Sequence, residues 1–501
     1  MATWTLPNNH ASFCALCPCA FRAGRTIIKV TTCHHGCPEE SRLLLAARGS
    51  PTAAGRITLL SVTVLGTMCN NIVNVPLRSI AKGLDAPLSS AVLLVSAFVL
   101  ALAIAMPITG WLGDRIGMKR TLLAAMLLML VAQALAAIAP GLAVLVTLRG
   151  VQGLACSAIP PMVMGLLSAY HPDKRLQMMA AWAAANGVGQ AVGPPIGGLV
   201  SDVLGWRMIF VLVAAGCVVV LLPLWLLVPA VPTRASRLDV RGAVLLTGGV
   251  GLVLVGITTI SQREGVVFAI VEATAGLLML AGYGLVSRGR SSAMIPLEVL
   301  VESRFLRSTA AVFGQMFCLG TVLVALPLLF TGPLGMSTAV AGALFFILPG
   351  VMAVAAPASS RLSRSYGARR ILRLGLVIIV AGTAVTGSVA ASGSSPTQAV
   401  VLTTMLLVLG VGMALVQTPA AAGATSSPAG RYGAAVGLFS MMRFSGSATA
   451  AAWVALIYPT GSMLLLFGGC AVVAVLALAA SYAGPDPTRM VQVVSRTSGL
   501  D

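Results

Sequence analysis

The sequence predicts an all-α integral membrane protein with about fourteen membrane-crossing helices between two polar tails. Three observations predict it. Charged residues are 9% of the 501, where a soluble protein carries about 25%. Hydrophobic residues reach 58% and mean hydropathy is +0.97, which leaves too few polar side chains to cover a water-facing globule. Apolar runs as long as a hydrocarbon core demands, about 20 helical residues, recur from Ile57 to Ala483 with short breaks. An ordinary soluble enzyme is excluded. The formal net charge of +19 is read as membrane topology rather than nucleic-acid binding, since aromatics are 5% and the basic residues fall between the apolar runs.

Residues 1–55 form a polar tail bearing Cys14, Cys17, Cys19, Cys33, Cys37, His34 and His35. Its apolar stretch, Ala11 to Phe21, is followed rather than preceded by the charges of Arg22, Arg25 and Lys29, the wrong order for a secretion signal. A disordered cytoplasmic tail is expected. The pairs Cys14/Cys17 and Cys33/Cys37 could hold zinc tetrahedrally, but no hydrophobic or strand pattern frames them, so no metal is expected. Cys69, Cys156, Cys217, Cys318 and Cys470 sit singly in apolar runs and behave as small hydrophobes.

The crossings are expected at 57–80, 88–109, 121–139, 142–169, 176–200, 207–229, 241–260, 265–287, 307–331, 337–358, 371–391, 397–420, 432–458 and 461–483. An even number puts both termini on one side. With the tail inside, 26 of the 32 Lys and Arg fall inside, and the outside loops hold Arg78, Lys82, Arg207 and Arg263. That bias predicts cytoplasmic termini in a cell inner (plasma) membrane. No phosphate-binding loop occurs and the loops are brief, so the energy source is expected to be a gradient, with no cofactor.

The most specific string is GWLGDRIGMKR, Gly110 to Arg120, between the second and third crossings. Gly110, Gly113 and Gly117 permit a tight turn and close helix approach, Asp114 places an acid at a helix end, and Arg115, Lys119 and Arg120 sit where inside cations belong. A degenerate copy, SRLSRSYGARR, follows at Ser360 to Arg370, with Arg364 standing 250 residues after Asp114 where the acid should be. The fifth crossing carries NGVGQAVGPPIGGLVSDVLGWR, in which Gly189, Gly193 and Gly197 make a small-residue stripe beside Pro194, Pro195 and Gly198. In the fourth, LRGVQGLACSAIP places Arg149 inside the bilayer with Gln152 and Cys156 on its face. A cation there costs about 2.5–3.5 kcal/mol on insertion scales, so it should face a cavity. Arg443, in FSMMRFSG, lies near the middle of the thirteenth.

These strings, with FTGPLGMSTAVAG (330–342) and GVGMALVQTP (410–419), resemble the major facilitator superfamily in its fourteen-helix drug:proton antiporter branch, over residues 57–483. The resemblance implies two six-helix bundles, 56–229 and 291–484, an inserted helix pair, 230–290, and a second tail, 485–501. It implies a conformational latch of Gly110, Asp114, Arg115, Gly117, Lys119 and Arg120, an exporter motif of Gly189, Gly193, Pro194, Gly197 and Gly198, and a proton-coupling role for Arg149, with Arg443 matching another arginine typical of the branch.

The first crossing departs from the pattern. Cys69 takes the place of the family's acid, and Arg78 replaces a proline. Thr67, Asn71, Asn74 and Arg78 fall on one helical face. The asparagines either staple neighbouring helices or line the substrate path. Glu272 is the one acid within a crossing, either a proton carrier or a peripheral group. The coupling or substrate cavity is therefore expected among Asn71, Asn74, Arg149, Gln152, Arg443 and Glu272. The expected function is secondary active efflux of amphiphilic drugs or toxic metabolites by proton antiport with alternating access, performed by a monomer in the lipid bilayer with neither enzymatic activity nor a nucleic-acid partner. With the acid gone and both arginines kept, the cavity should disfavour cations. A lipid or lipid-precursor exporter and a non-transporting membrane sensor are the alternatives.

Overall fold

In a hydrocarbon core every backbone N–H and C=O must bond within its own segment or a closed barrel, and the apolar runs of this chain fold accordingly into helices. The structure, a computed structural model, describes residues 20–23, 26–29, 52–233, 239–261, 265–290, 293–336, 340, 343–344, 346–392 and 396–484. Fifteen long helices follow one another: α1 Ala53–Asn71, α2 Leu93–Ile116, α3 Met118–Ala137, α4 Leu142–Cys156, α5 Ile159–Tyr170, α6 Arg175–Leu204, α7 Arg207–Leu227 and α8 Val240–Ser261. Then come α9 Val266–Ser287, α10 Ser303–Thr331, α11 Ile347–Tyr366, α12 Ala368–Ala391, α13 Pro396–Ser426, α14 Gly433–Ile457 and α15 Met463–Ala480. With α4 and α5 taken as one broken segment, the described helices group into fourteen, consistent with the fourteen apolar runs.

By length and composition, ten spans among the described residues qualify as membrane-crossing on their own. The others are α1, α6, α11 and α14, the helices that carry the Gly, Ser, Thr and Asn residues of the bundle's centre.

Four crossings differ from expectation: the second and tenth run on to Ile116 and Tyr366, past the ends expected at 109 and 358, and the first and fourth are broken. The first is not one run over 57–80: α1 ends at Asn71, and after a turn Pro76 starts a short helix, Leu77–Gly83. Proline lacks the N–H that would continue α1 and restricts the residue before it. The fourth breaks at Ser157, whose hydroxyl donates to Leu154 O at 2.6 Å, just before Pro160 and Pro161 open α5.

The two copies of the basic loop share one geometry. Gly117 ends α2 at φ 102° and Gly367 ends α11 at φ 91°, 250 residues apart, with their N–H groups bonded to Gly113 O and Ser363 O. This left-handed region is costly for any residue with a Cβ, which explains why glycine survives in the copy that lost its acid.

Within the first half α1 packs on α6, α2 on α4 and α3 on α7; within the second α10 packs on α14 and α15, and α12 on α13 and α15. The halves meet along α2–α14 and α6–α11. Helices α8 and α9 pack on each other, and α8 leans on both α2 and α14.

In the N-terminal tail, expected to lack structure, Ala20–Ala23 pairs antiparallel with Thr26–Lys29. Phe21, Ile27 and Ile28 supply the strand propensity that the composition argument passed over. The Cys14/Cys17 and Cys33/Cys37 pairs and the tail 485–501 lie outside the described residues.

Candidate translocation site and interlock of the halves

Successive crossings alternate in direction, so the loops bearing Arg115, Lys119, Arg120, Lys174, Arg364 and Arg370 share one end of the bundle, the basic end. There α2 and α14 touch backbone to backbone. A Cβ on Gly110 would run into the carbonyl of Gly433, and one on Gly437 into that of Met106. Asp114, one turn past Gly110, accepts a 2.6 Å hydrogen bond at Oδ2 from the Gly433 N–H. Gly433 is the first residue of α14, whose preceding residue Tyr432 offers no side-chain cap. Asp114 thus caps α14 from the opposite half, a carboxylate set where the helix dipole favours it.

Other members of the loop act within the first half. Arg115 lies over Trp111 of its own helix, 5.5 Å from the ring centroid. Lys119 Nζ donates at 2.7 Å to Trp225 O near the C-terminus of α7. Arg120 is exposed. In the second copy Arg364 is exposed, and α6, the pseudo-equivalent of α14, starts after Lys174 with no side-chain cap.

Deeper in, two arginines are fully enclosed. Arg149, 0% exposed, donates from Nε to Leu94 O at 3.1 Å and from Nη1 to Cys69 O at 3.3 Å and Gln152 Oε1 at 3.0 Å. Phe98 lies beneath it, 4.2 Å from centroid to guanidinium carbon. Gln152 Nε2 donates in turn to Ala132 O and to Gln133 Oε1, and Gln133 Nε2 reaches Cys69 Sγ at 2.9 Å. Cys69 is therefore a thiol inside an amide–guanidinium network.

Arg443, 2% exposed, stands at the seam of the halves. Its Nη2 donates at 3.0 Å to Asn186 Oδ1 on α6, and Trp182 and Phe444 lie 5.1 and 5.2 Å from its guanidinium carbon. Thr67 of α1 also donates to Asn186 Oδ1, at 3.2 Å, and Asn186 Nδ2 donates to Trp182 O. Arg443 Nε and Nη1 are buried without a partner.

Gly189, Gly193, Gly197 and Gly198 face α1 inside the first half. A Cβ on Gly189 would stand 2.6 Å from Val64 O and one on Gly193 3.2 Å from Met68 O; one on Gly197 would enter Ile72 O, and one on Gly198 would stand 3.1 Å from Val75. Pro194 is buried within the same continuous helix. Gly187, two residues before Gly189 and so on the opposite side of the helix, faces the other half, where its Cβ would stand 2.8 Å from Pro349 O of α11.

A sequence model of the Major Facilitator Superfamily matches residues 59–451, more than three quarters of the chain. The chain belongs to this superfamily. It is a transporter of the bilayer, and its relatives include drug exporters. The multidrug resistance protein Stp of Mycobacterium tuberculosis (strain CDC 1551 / Oshkosh) is 27% identical over 381 residues, 75% of this chain and 70% of Stp. The tetracenomycin C resistance and export protein of Streptomyces glaucescens is 28% identical over 331 residues, 65% of this chain and 62% of that protein. The crystal structure of the human organic anion transporter MFSD10 (TETRAN) superimposes with TM-score 0.63 at 17% identity, covering 89% of this chain and all of the other, a likeness of fold alone.

Of the expected cavity residues of this superfamily transporter, Arg149 and Gln152 are brought together and Arg443 joins the halves. Three others stand apart. Asn71 bonds back to Thr67 O at 3.3 Å, on the α1 face that meets Gly193. Asn74 lies past the end of α1 and is exposed, so the expected continuous stripe through Asn74 and Arg78 is not formed. Glu272 accepts at 2.9 Å from Thr259 Oγ1, between α8 and α9 and away from both arginines. Sequence reasoning passed over Gln133, a lone amide in the apolar run of α3, and Asn186, the first letter of a motif read for its glycines.

Proposed function

We propose that this chain exports amphiphilic drugs or toxic metabolites from the cytoplasm, alternating between two states in which its halves close at one end or the other. The observation that carries the reading is the character of the seam: bare backbone at Gly110, Gly433 and Gly437, one carboxylate cap from Asp114, and one side-chain bond from Arg443 to Asn186. Such a seam is close helix-on-helix packing along α2–α14 and α6–α11, which opens at one end when the bundles tilt. The Lys and Arg bias supports a cytoplasmic basic end and cytoplasmic termini in the plasma membrane. The proton-motive force is the proposed energy source, and a monomer in the bilayer the proposed working unit. The named activities of the bacterial relatives support efflux over uptake.

The test is a drug-susceptibility and accumulation panel in an efflux-deficient bacterial host, comparing the native chain with Arg149→Ala and Cys69→Asp. The reading expects lower accumulation of at least one amphiphile with the native chain and loss of that effect in Arg149→Ala. Normal expression without any substrate-dependent flux would overturn it in favour of a non-transporting sensor.

A further inference from the structure

Three charged side chains are buried among the described residues, and all three are arginines: Arg149, Arg307 and Arg443. No Asp or Glu is buried among those residues. Arginine does not shed its proton to escape burial, and a buried guanidinium needs anions or acceptors around it. Arg307 lies near the basic end and donates to Ala483 O. Arg149 is given three acceptor oxygens and a ring face. Arg443 is given one amide oxygen, shared with Thr67, and two aromatic rings, while Nε and Nη1 point to nothing.

That contrast distinguishes the two deep arginines. Arg149 leaves Nη2 alone without a hydrogen-bond partner, whereas Arg443, at the seam between the halves, leaves both Nε and Nη1 without one. Nε and Nη1 donate in divergent directions, so a carboxylate or sulfonate takes one bond at either, or two parallel bonds at Nε and Nη2 by displacing Asn186. Trp182 beside it, with Phe444, supplies an apolar wall for the rest of a ligand.

We propose that Arg443, with Asn186 and Trp182, binds the carboxylate or sulfonate of an amphiphilic organic anion, and that this cargo supplies the counter-charge the polypeptide lacks. The proposal rests on the efflux reading and names its substrate class. Asn186 orients the guanidinium from the opposite half, so an anion seated on Arg443 competes with or bridges the bond that joins the halves.

The experiment uses the full chain in lipid nanodiscs and two probes that share a fluorophore, the anion dansylglycine and the cation dansylcadaverine. The native protein is expected to bind dansylglycine about tenfold more tightly than dansylcadaverine. Arg443→Gln should weaken the anion by about ten- to a hundredfold, the scale of a charge-assisted hydrogen bond, and leave the cation unchanged. Arg443→Lys should recover part of the loss, and Asn186→Ala, which keeps the charge but removes the group that orients it, should weaken anion binding by less than Arg443→Gln does. Equal weakening of both probes in Arg443→Gln, preference for the cation, or binding of neither probe by the native protein would overturn the proposal. Cellular export of a cationic drug is measured in parallel. Its persistence when the anion arm fails leaves the efflux reading standing, and its absence together with that of anion export removes both.

Discussion

Gly110→Ala puts a methyl group where α2 and α14 have no room for one. The new Cβ would lie 2.6 Å from the Gly433 carbonyl carbon and 3.0 Å from Ala434 N, closer still to the Gly433 oxygen, and all of these are backbone atoms. No rotamer change can relieve the overlap, so the helices must separate. Overpacking of this kind costs about 1–3 kcal/mol. The cost falls on the state in which the basic ends are joined, so the ratio of separated to joined molecules should rise by about 5- to 150-fold. Double electron–electron resonance between nitroxides at Arg120 and Arg370, both exposed on the paired turns, reads this as growth of a longer-distance population. Gly150→Ala and Gly468→Ala are controls, because a Cβ at either meets nothing within 4 Å. An unchanged distance distribution in Gly110→Ala would refute the idea that the glycine contact holds this end closed.

Asp114→Asn keeps the shape and removes the charge that caps α14, so it should weaken the same closed state by about 0.3–1 kcal/mol, read with the same label pair. Arg149→Lys should lower thermal stability in detergent by about 1–3 kcal/mol, because a single ammonium on a flexible stem cannot reproduce the fork that serves Leu94 O, Cys69 O and Gln152. Full stability in that variant would argue against the network. His171, in the turn before α6, is held below the ordinary 6.5 by partial burial, with Arg56 and Lys174 adding to the effect. The folded state then prefers neutral imidazole, so the contribution is full above the unfolded pKa and is lost as pH falls through the folded one. A histidine NMR titration should show a midpoint below 6.5 that rises in Lys174→Gln.

The crossings were legible because lipid leaves a 20-residue apolar run few other folds. The repeat was legible through Gly117 and Gly367, which share a backbone requirement. What stayed hidden depends on pairing between distant segments. Spacing placed Asn74 on a helical face, but the break of α1 before Pro76 removed it. Asp114 was visible as an acid at a helix end, yet its partner is the start of α14, 319 residues on. Arg115 carries the same motif letter in sequence and stays on its own helix, against Trp111. Gln133 matters through Cys69 and Gln152, and Asn186 through Arg443, partners on other helices that no local pattern encodes.

An anionic cargo changes the energetics that the missing acid put in question. Proton exchange requires a group that gains and loses a proton during the cycle, and no carboxylate is buried beside Arg149 or Arg443 among the described residues. Export of a monoanion from an inside-negative cell gains about 2.3 kcal/mol per 100 mV from the membrane potential alone, roughly a fiftyfold accumulation ratio. The potential would then suffice, with Arg443 carrying the anion's counter-charge and Glu272 taking no part, bonded as it is to Thr259. In proteoliposomes, collapsing the potential with valinomycin and potassium should stop concentrative dansylglycine export. Collapsing the pH gradient with nigericin should leave it intact, and Glu272→Gln should behave like the native chain. Export that survives valinomycin and fails with nigericin would refute this and return proton exchange to the mechanism.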